Sequence, residues 1–250
     1  NRYAKISNRF FKKFSNNLIS KGYFEQLNKN LRKMNSGFIL GTYVSMIFFS
    51  IVLSFLASIA LLVFLLFFKV TLDIPFLIPI GEPLLFRFIK IFWIVFAIPV
   101  STGLILYFYP SSESANLGAK IERELPFVTI HMSAIATSGI EPTNIFKIIL
   151  KNNEYKYTNI EIRKLMNLIN FHGDDLVTAL KKISQSCPSS RLRELLDGLA
   201  TTITSGGSMY QFLDKHAESL LFDYRLERER YTKASETFMD IYISVVIAAP

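Results

Sequence analysis

The chain has 250 residues, half of them hydrophobic, and only one cysteine, Cys187, so an internal disulfide framework is excluded. The formal net charge is +8, but it is unevenly placed: residues 1–37 hold nine Lys/Arg against the single acid Glu25, while residues 113–240 hold sixteen basic and seventeen acidic residues. A neutral polar segment with its basic excess gathered beside an apolar run argues against nucleic acid as a partner. It is the pattern of a cytoplasmic arm next to a membrane.

Residues 1–37 form that arm. Ile6, Phe10, Phe14 and Leu18 recur every four residues, flanked by Lys5, Arg9, Lys12 and Lys13. Gly22 interrupts, and Phe24, Leu27, Leu31 and Met34 resume the stripe. The spacing predicts two basic amphipathic helices, lying along a membrane surface or packed on the later cytoplasmic segment.

Residues 38–68 carry no Asp, Glu, Lys or Arg. A helix needs about 20 apolar residues to cross a hydrocarbon core, so this run spans with tilt. A second uncharged run, 91–109, stops at Pro110. Domain boundaries follow: an arm 1–37, a transmembrane hairpin 38–110 with spans near 38–68 and 88–109, a polar helical domain 111–236, and the start of a third, truncated span at 237–250. Ser50, Ser54 and Ala57 share a face of the first span, which predicts packing against another helix. Pro99 predicts a kink in the second. The linker 69–90 holds Pro75, Pro79 and Pro83 and cannot be regular helix. Residues 76–80 are expected to rest at the bilayer interface.

From residue 111 the chain reads as consecutive short helices. Ser114 or Asn116 is expected to cap a helix through Ile121, Leu125, Val128, Met132 and Ile135, with Pro126 marking a kink or a new first turn. Pro142 opens the next helix. Thr158 or Asn159 is expected to cap a third, Asp174 a fourth and Ser208 the last, with Pro188 starting the fifth. Gly139, Gly173, Gly206 and Gly207 read as structural turns that stop helices, with positive φ at one or more. No strand-like alternation is present, so the fold class is all-α: a polytopic membrane protein with a helical domain.

No constellation carries chemistry, so the chain does not read as an enzyme and no cofactor is expected. Gly206-Gly207 lacks the ending of a phosphate loop. His131, His172 and His216 lie about forty residues apart without a second ligand one turn on, so no metal site is expected. Asp174 and Asp175 fit a helix start better than a catalytic dyad. Ser189 and Ser190 have no neighbouring base, and Cys187 reads as an inert thiol.

Residues 124–139, Glu-Leu-Pro-Phe-Val-Thr-Ile-His-Met-Ser-Ala-Ile-Ala-Thr-Ser-Gly, resemble the opening of the cytoplasmic domain of the type II secretion F / type IV pilus assembly-platform family, most nearly its archaeal archaellum and pilus branch. The resemblance continues through Gly-Asp-Asp-Leu-Val-Thr-Ala-Leu at 173–180, Cys-Pro-Ser at 187–189, Leu-Leu-Asp-Gly-Leu at 195–199, Thr-Ser-Gly-Gly-Ser-Met-Tyr-Gln-Phe-Leu at 204–213 and Tyr-Arg-Leu-Glu-Arg at 224–228. It implies a six-helix bundle facing the cytoplasm, and a non-enzymatic platform that couples a secretion ATPase to the assembly of pilin-like subunits. It also implies a homo-oligomer, a dimer. On that reading Asp174, Asp175 and Ser208 are candidate partner-binding residues. Arg225, Arg228, Arg230 and Lys233 are candidate membrane-surface residues facing membrane lipid, with Glu229 and Lys233 spaced for an intrahelical pair. The rival reading is a subunit of a transporter or other polytopic complex; it needs intramembrane charges, which neither span carries.

Overall fold

A computed structural model describes residues 2–34, 37–70, 77–79, 84–152 and 154–248. Nine helices are found among them: α1 (Arg2–Ser20), α2 (Glu25–Met34), α3 (Leu40–Phe67), α4 (Leu84–Ala136), α5 (Pro142–Lys151), α6 (Thr158–His172), α7 (Leu176–Ser186), α8 (Ser190–Thr204) and α9 (Met209–Ala248). Although no strand-like alternation is present in the sequence, β1 (Phe68–Val70) and β2 (Leu77–Pro79) pair antiparallel in a short ribbon. Pro79 stands at the end of its strand, where the missing amide is tolerated. The expected interfacial stretch 76–80 lies, apart from 77–79, outside the described residues, as do Pro75 and Pro83. The chain divides into two compact units, 1–114 and 115–250.

In the first unit α3 and the first part of α4 form an antiparallel pair. Tyr43 reaches Leu106 near one end, Ile51 lies against Gly103, and Ser58 reaches Val95 at the other. A Cβ on Gly103 would sit 3.1 Å from the Ile51 side chain, so the small residue allows the approach. Both helices are long and apolar enough to cross a membrane, with α3 qualifying over Leu40–Leu65. Only 17% of the apolar window of α3 and 11% of that of α4 is buried, unlike the core helix of a soluble protein. At 28 residues α3 is about 42 Å long.

The sequence reading ends the second span at Pro110, but α4 runs on through Pro99, Pro110 and Pro126 to Ala136. Neither Ser114 nor Asn116 caps anything, because both lie inside it. A helix-interior proline leaves the carbonyl four residues earlier without its amide and costs about 3 kcal/mol. For Pro99 that carbonyl is Val95, and for Pro110 it is Leu106. The Tyr43 hydroxyl donates to Leu106 O at 2.8 Å, while the Ser58 hydroxyl divides its one proton between Phe55 O of its own helix at 2.8 Å and Val95 O at 3.3 Å. The acceptor freed by Pro110 is therefore met by a hydroxyl of α3, and the one freed by Pro99 shares a second, which is how a proline is accommodated where water is scarce.

The arm resolves differently from either arrangement left open by the sequence. α1 packs along the first half of α3: Tyr3 stacks edge-on to Phe49 at 5.3 Å and its hydroxyl meets Ser50 at 2.6 Å, while Ser15 donates to Gly41 O at 3.0 Å. The face turned inward is small and polar, with Ser7 and Ser15 fully buried. The start of the apolar stripe points outward, with Ile6 and Phe10 exposed at 47% and 71%, while Phe14 lies edge-on to Phe48 at 5.1 Å and Phe11 stacks on the same ring at 6.4 Å. α2 does what its pattern predicts, burying Leu27 and Leu31 in a small core with Tyr43, Val44 and Ile47. Of the small face expected on α3, Ser50 is taken by α1 and Ser54 by its own backbone, and the contact with α4 is made by Ser58.

The second unit comprises α4 from Ala115 onward and α5 to α9 around one core. Ile121, Leu125, Val128 and Met132 of α4 meet Ile145, Phe146 and Ile149 of α5, Ile162 and Leu165 of α6, Leu180 of α7, Leu195 and Leu199 of α8 and Leu213 of α9. Two glycines set how closely helices approach. A Cβ on Gly118 would lie 2.9 Å from Pro188 O, and one on Gly198 would collide with the Phe212 ring.

Tyr43→Phe should destabilise the chain by about 1 kcal/mol, read from thermal unfolding of the full chain in detergent. In a Pro110→Ala background the restored amide can take the Leu106 carbonyl, so the same change should cost much less. Equal losses in both backgrounds would show that the hydroxyl does not compensate the proline.

Candidate functional site

The pairings within the second unit sort its turns into two ends. α9 runs antiparallel to α4, since Ser133 donates to Asp214 at 3.3 Å and Phe127 packs edge-on to Tyr224 at 5.5 Å. It also runs antiparallel to α8, with Gly198 against Phe212 and Arg191 3.6 Å from Asp223. α6 begins beside Glu124 of α4. At one end therefore lie the turns after α4, after α6 and after α8, holding Gly139, Gly173–Asp175 and Gly206–Ser208. At the other lie the starts of α6 and α8 and the stretch of α9 beyond Asp223.

Each turn at the first end is built on a glycine in the left-handed region. Gly139, Gly173 and Gly206 have φ of 68°, 73° and 71°. Gly207 does not share that conformation; its amide returns to Thr202 O at 2.9 Å. Ser208 is exposed and its hydroxyl accepts from the Gln211 amide at 3.3 Å, capping α9. The cap of α7 is Asp175 rather than Asp174: its carboxylate accepts from the Thr178 amide at 3.1 Å, which holds the acid below the usual aspartate range. Asp174 instead takes Lys182 through both oxygens, at 2.9 and 2.8 Å, and its side chain is only 16% exposed. Of the two acids, only Asp175 is open to a partner.

Arg225, Arg228, Arg230 and Lys233 are all exposed on α9. The expected Glu229–Lys233 pair does not form; the ion pairs among the described residues are elsewhere. From Tyr231 to Ile247 no residue of α9 is covered, and Phe238, Met239, Ile241, Tyr242, Ile243, Val245, Val246 and Ile247 stand open.

Several working residues escaped the sequence reading. Glu124 is the N-terminal cap of α6, in place of Thr158 or Asn159. Its carboxylate accepts from the Tyr157 amide at 3.1 Å and from the Thr158 amide and hydroxyl at 2.8 and 2.9 Å. A cap supplied from another helix leaves no local spacing to read. Likewise α8 is capped by Ser189, which accepts from Leu192 N at 3.1 Å, and not started by Pro188. His131 and Tyr155 form a ring contact and a 2.6 Å hydrogen bond through Nδ1. Burial raises the Tyr155 hydroxyl above its usual range, as do Glu154 and Glu124. His216 stacks on Phe212, and burial lowers its pKa. Glu161 is buried with one oxygen on Lys164 at 2.8 Å and the other without a partner; burial raises its pKa, against the pull of Lys164. Cys187 is fully buried, and burial pushes its thiol up to about 12, far from the thiolate a nucleophile needs. No group of three His, Cys, Asp or Glu is placed to hold a metal among the described residues.

Comparison with known proteins bears out the resemblance seen in the sequence. Residues 128–250, just under half of the chain, match the family described as type II secretion system (T2SS), protein F. The chain is also similar to the flagella accessory protein J of Methanocaldococcus jannaschii, 24% identical over 157 residues, covering 62% of this chain and 28% of that protein. An uncharacterized protein of the same organism is 21% identical over 140 residues, covering 56% of this chain and 24% of its own length. The chain thus spans about a quarter of the length of the curated relatives it matches. No solved structure matches.

The Asp175 cap has a pH signature. Its folded pKa is depressed, so its contribution is fully present above the unfolded value of about 3.9 and fades as pH falls through the folded one. Asp175→Ala should lower the thermal midpoint at neutral pH, and the gap to wild type should close in strong acid. A gap that stays constant down to the lowest pH would show that the carboxylate charge plays no part in the cap.

Proposed function

We propose that this chain is part of a multi-pass assembly platform in the cytoplasmic membrane, coupling a secretion ATPase to the assembly of pilin-like subunits into an archaellum, pilus or related secretion filament. The observation that carries the reading is the match of residues 128–250 to the T2SS protein F family, joined by the similarity to an archaeal flagella accessory protein. The platform works by position and movement and not by catalysis. It acts as a homo-oligomer, a dimer, with membrane lipid around its spans.

In this reading α3 and the first part of α4 cross the membrane as a hairpin with the linker outside. Residues 111–236 form a six-helix bundle in the cytoplasm, and residues 237–250 begin a third span. The basic arm and the arginines of α9 favour the cytoplasmic side for both termini of the bundle. α9 suits a transmitting element: Leu213 and Leu220 anchor it in the core, and the same helix continues without a break to Ala248. The end carrying Asp175 and Ser208 is the surface offered to the ATPase, because its turns are short, capped and held by left-handed glycines.

Cysteine labelling checks the topology. Cys187 is buried and stays silent. An impermeant maleimide should modify Gly81→Cys in intact cells and reach Ser205→Cys only after permeabilisation; the opposite pattern reverses the assignment.

Charge reversal checks the partner surface. Asp174→Lys with Asp175→Lys should weaken ATPase binding by the full-length platform and reduce filament assembly. Because the double change also removes the Lys182 pair and the α7 cap, Lys182→Ala serves as the control: it loses the pair, keeps both acids, and should retain binding. Unchanged binding and assembly in the double variant would rule this surface out.

A further inference from the structure

An open groove of about 740 Å³ lies between α4 and α9, with the start of α8 at one side. Its basic lining is Arg123, Arg191, Arg228 and Arg230, and its acids are Glu122, Asp223 and Glu227. Two of those acids are already engaged. Glu122 accepts the hydroxyls of Ser189 and Ser190 at 3.1 and 3.2 Å, and Asp223 faces Arg191 at 3.6 Å. The guanidinium groups of Arg123, Arg228 and Arg230 form no ion pair or hydrogen bond among the described residues, and Ser189 and Ser190 are neutral, so three guanidinium groups stand against the two carboxylates Glu122 and Glu227, a net positive groove. This separates the arginines of the charged stretch: Arg228 and Arg230 line the groove, whereas Arg225 and Lys233 do not.

We infer that this groove binds the phosphate-bearing headgroup of an anionic membrane lipid. Planar guanidinium forks match phosphate oxygens, and charge-assisted bonds of this kind are the strong ones. The choice of a lipid over free phosphate comes from α9. Its groove wall ends at Tyr231; the exposed apolar side chains begin at Phe238, about 10 Å further along the same helix, and after Asp240 the helix runs uncharged from Ile241. The headgroup zone is about 5–8 Å deep on each side of a bilayer, so the groove opens close to where phosphates lie once that stretch enters the membrane. Tyr224 and Tyr231, also in the lining, are the residue type that sits at such an interface. The inference rests on the proposed membrane entry of α9.

Native mass spectrometry of the full chain, released in detergent from vesicles of phosphatidylglycerol and phosphatidylcholine, tests this. The wild type should retain phosphatidylglycerol in preference to phosphatidylcholine. Arg123→Gln with Arg228→Gln and Arg230→Gln should weaken that retention by about tenfold or more. Lys147→Gln with Lys181→Gln and Lys215→Gln removes the same charge from exposed positions outside the groove and should leave retention unchanged. Equal retention of both lipids, loss of retention in both triple variants alike, or no retention at all would overturn the inference. Displacement by millimolar inorganic phosphate would mark a free-phosphate site and overturn the lipid assignment. Flotation of the full chain with the same vesicles keeps the two readings apart. Flotation without lipid preference sinks the groove alone, and failure to float sinks the membrane reading beneath it.

Discussion

Two backbone carbonyls set the terms for the apolar unit. Val95 and Leu106 each lose an amide partner to a proline four residues on; Tyr43 of α3 meets the Leu106 carbonyl, and Ser58 of α3 shares its proton between Val95 O and its own Phe55 O. In water such carbonyls would hydrogen-bond to solvent at little cost. Among exposed apolar side chains they need a protein donor. The donors fix the register of the hairpin at two points separated by about three turns along α4. Gly103 against Ile51, between those points, then fits without further adjustment. The prolines thus specify which face of α3 must lie against α4, where a uniformly apolar pair of helices would leave that choice open.

The second unit is tied by contacts of another kind. Its core is a set of aliphatic side chains at helical spacing, and burial of that set dominates its stability. Orientation comes from polar groups at helix ends. Glu124 reaches from α4 to satisfy the first amides of α6, and Glu122, two residues earlier, takes the hydroxyls at the start of α8. One turn of α4 thereby positions the beginnings of two other helices. Because those carboxylates sit at positive helix termini, the macrodipole favours them as well.

The boundary between what the sequence disclosed and what it hid follows the range of the forces. Ile121, Leu125, Val128 and Met132 were legible as core because periodicity is a local property, and all four are buried. The glycine turns were legible because φ is local too. The caps at Asp175, Glu124 and Ser189 were misassigned or missed, since a capping oxygen is chosen by geometry among several candidates and can come from another helix. Pro110 read as an end of helix because its cost is local, while the hydroxyl that offsets that cost lies 67 residues earlier, on Tyr43. The groove was invisible for the same reason: Arg123, Arg191 and Arg228 belong to three helices.

The inverted packing of α1 carries the same logic to its end. In water an amphipathic helix turns its apolar stripe to the core, because burying Phe10 and Phe14 is worth about 1.5–3 kcal/mol each. Here Ser7 and Ser15 are buried instead, and Ile6 and Phe10 stay out. In lipid that preference disappears, since the surroundings are as apolar as the stripe; small faces that allow close approach and hydrogen bonding then decide the contact. Lys5, Arg9, Lys12 and Lys13 can remain beside the stripe because long basic side chains bury their stems and keep their charge at the headgroups. A helix that buries its serines, sets Phe11 and Phe14 on Phe48 and leaves Ile6 and Phe10 open fits the same apolar surroundings as the bare faces of α3 and α4.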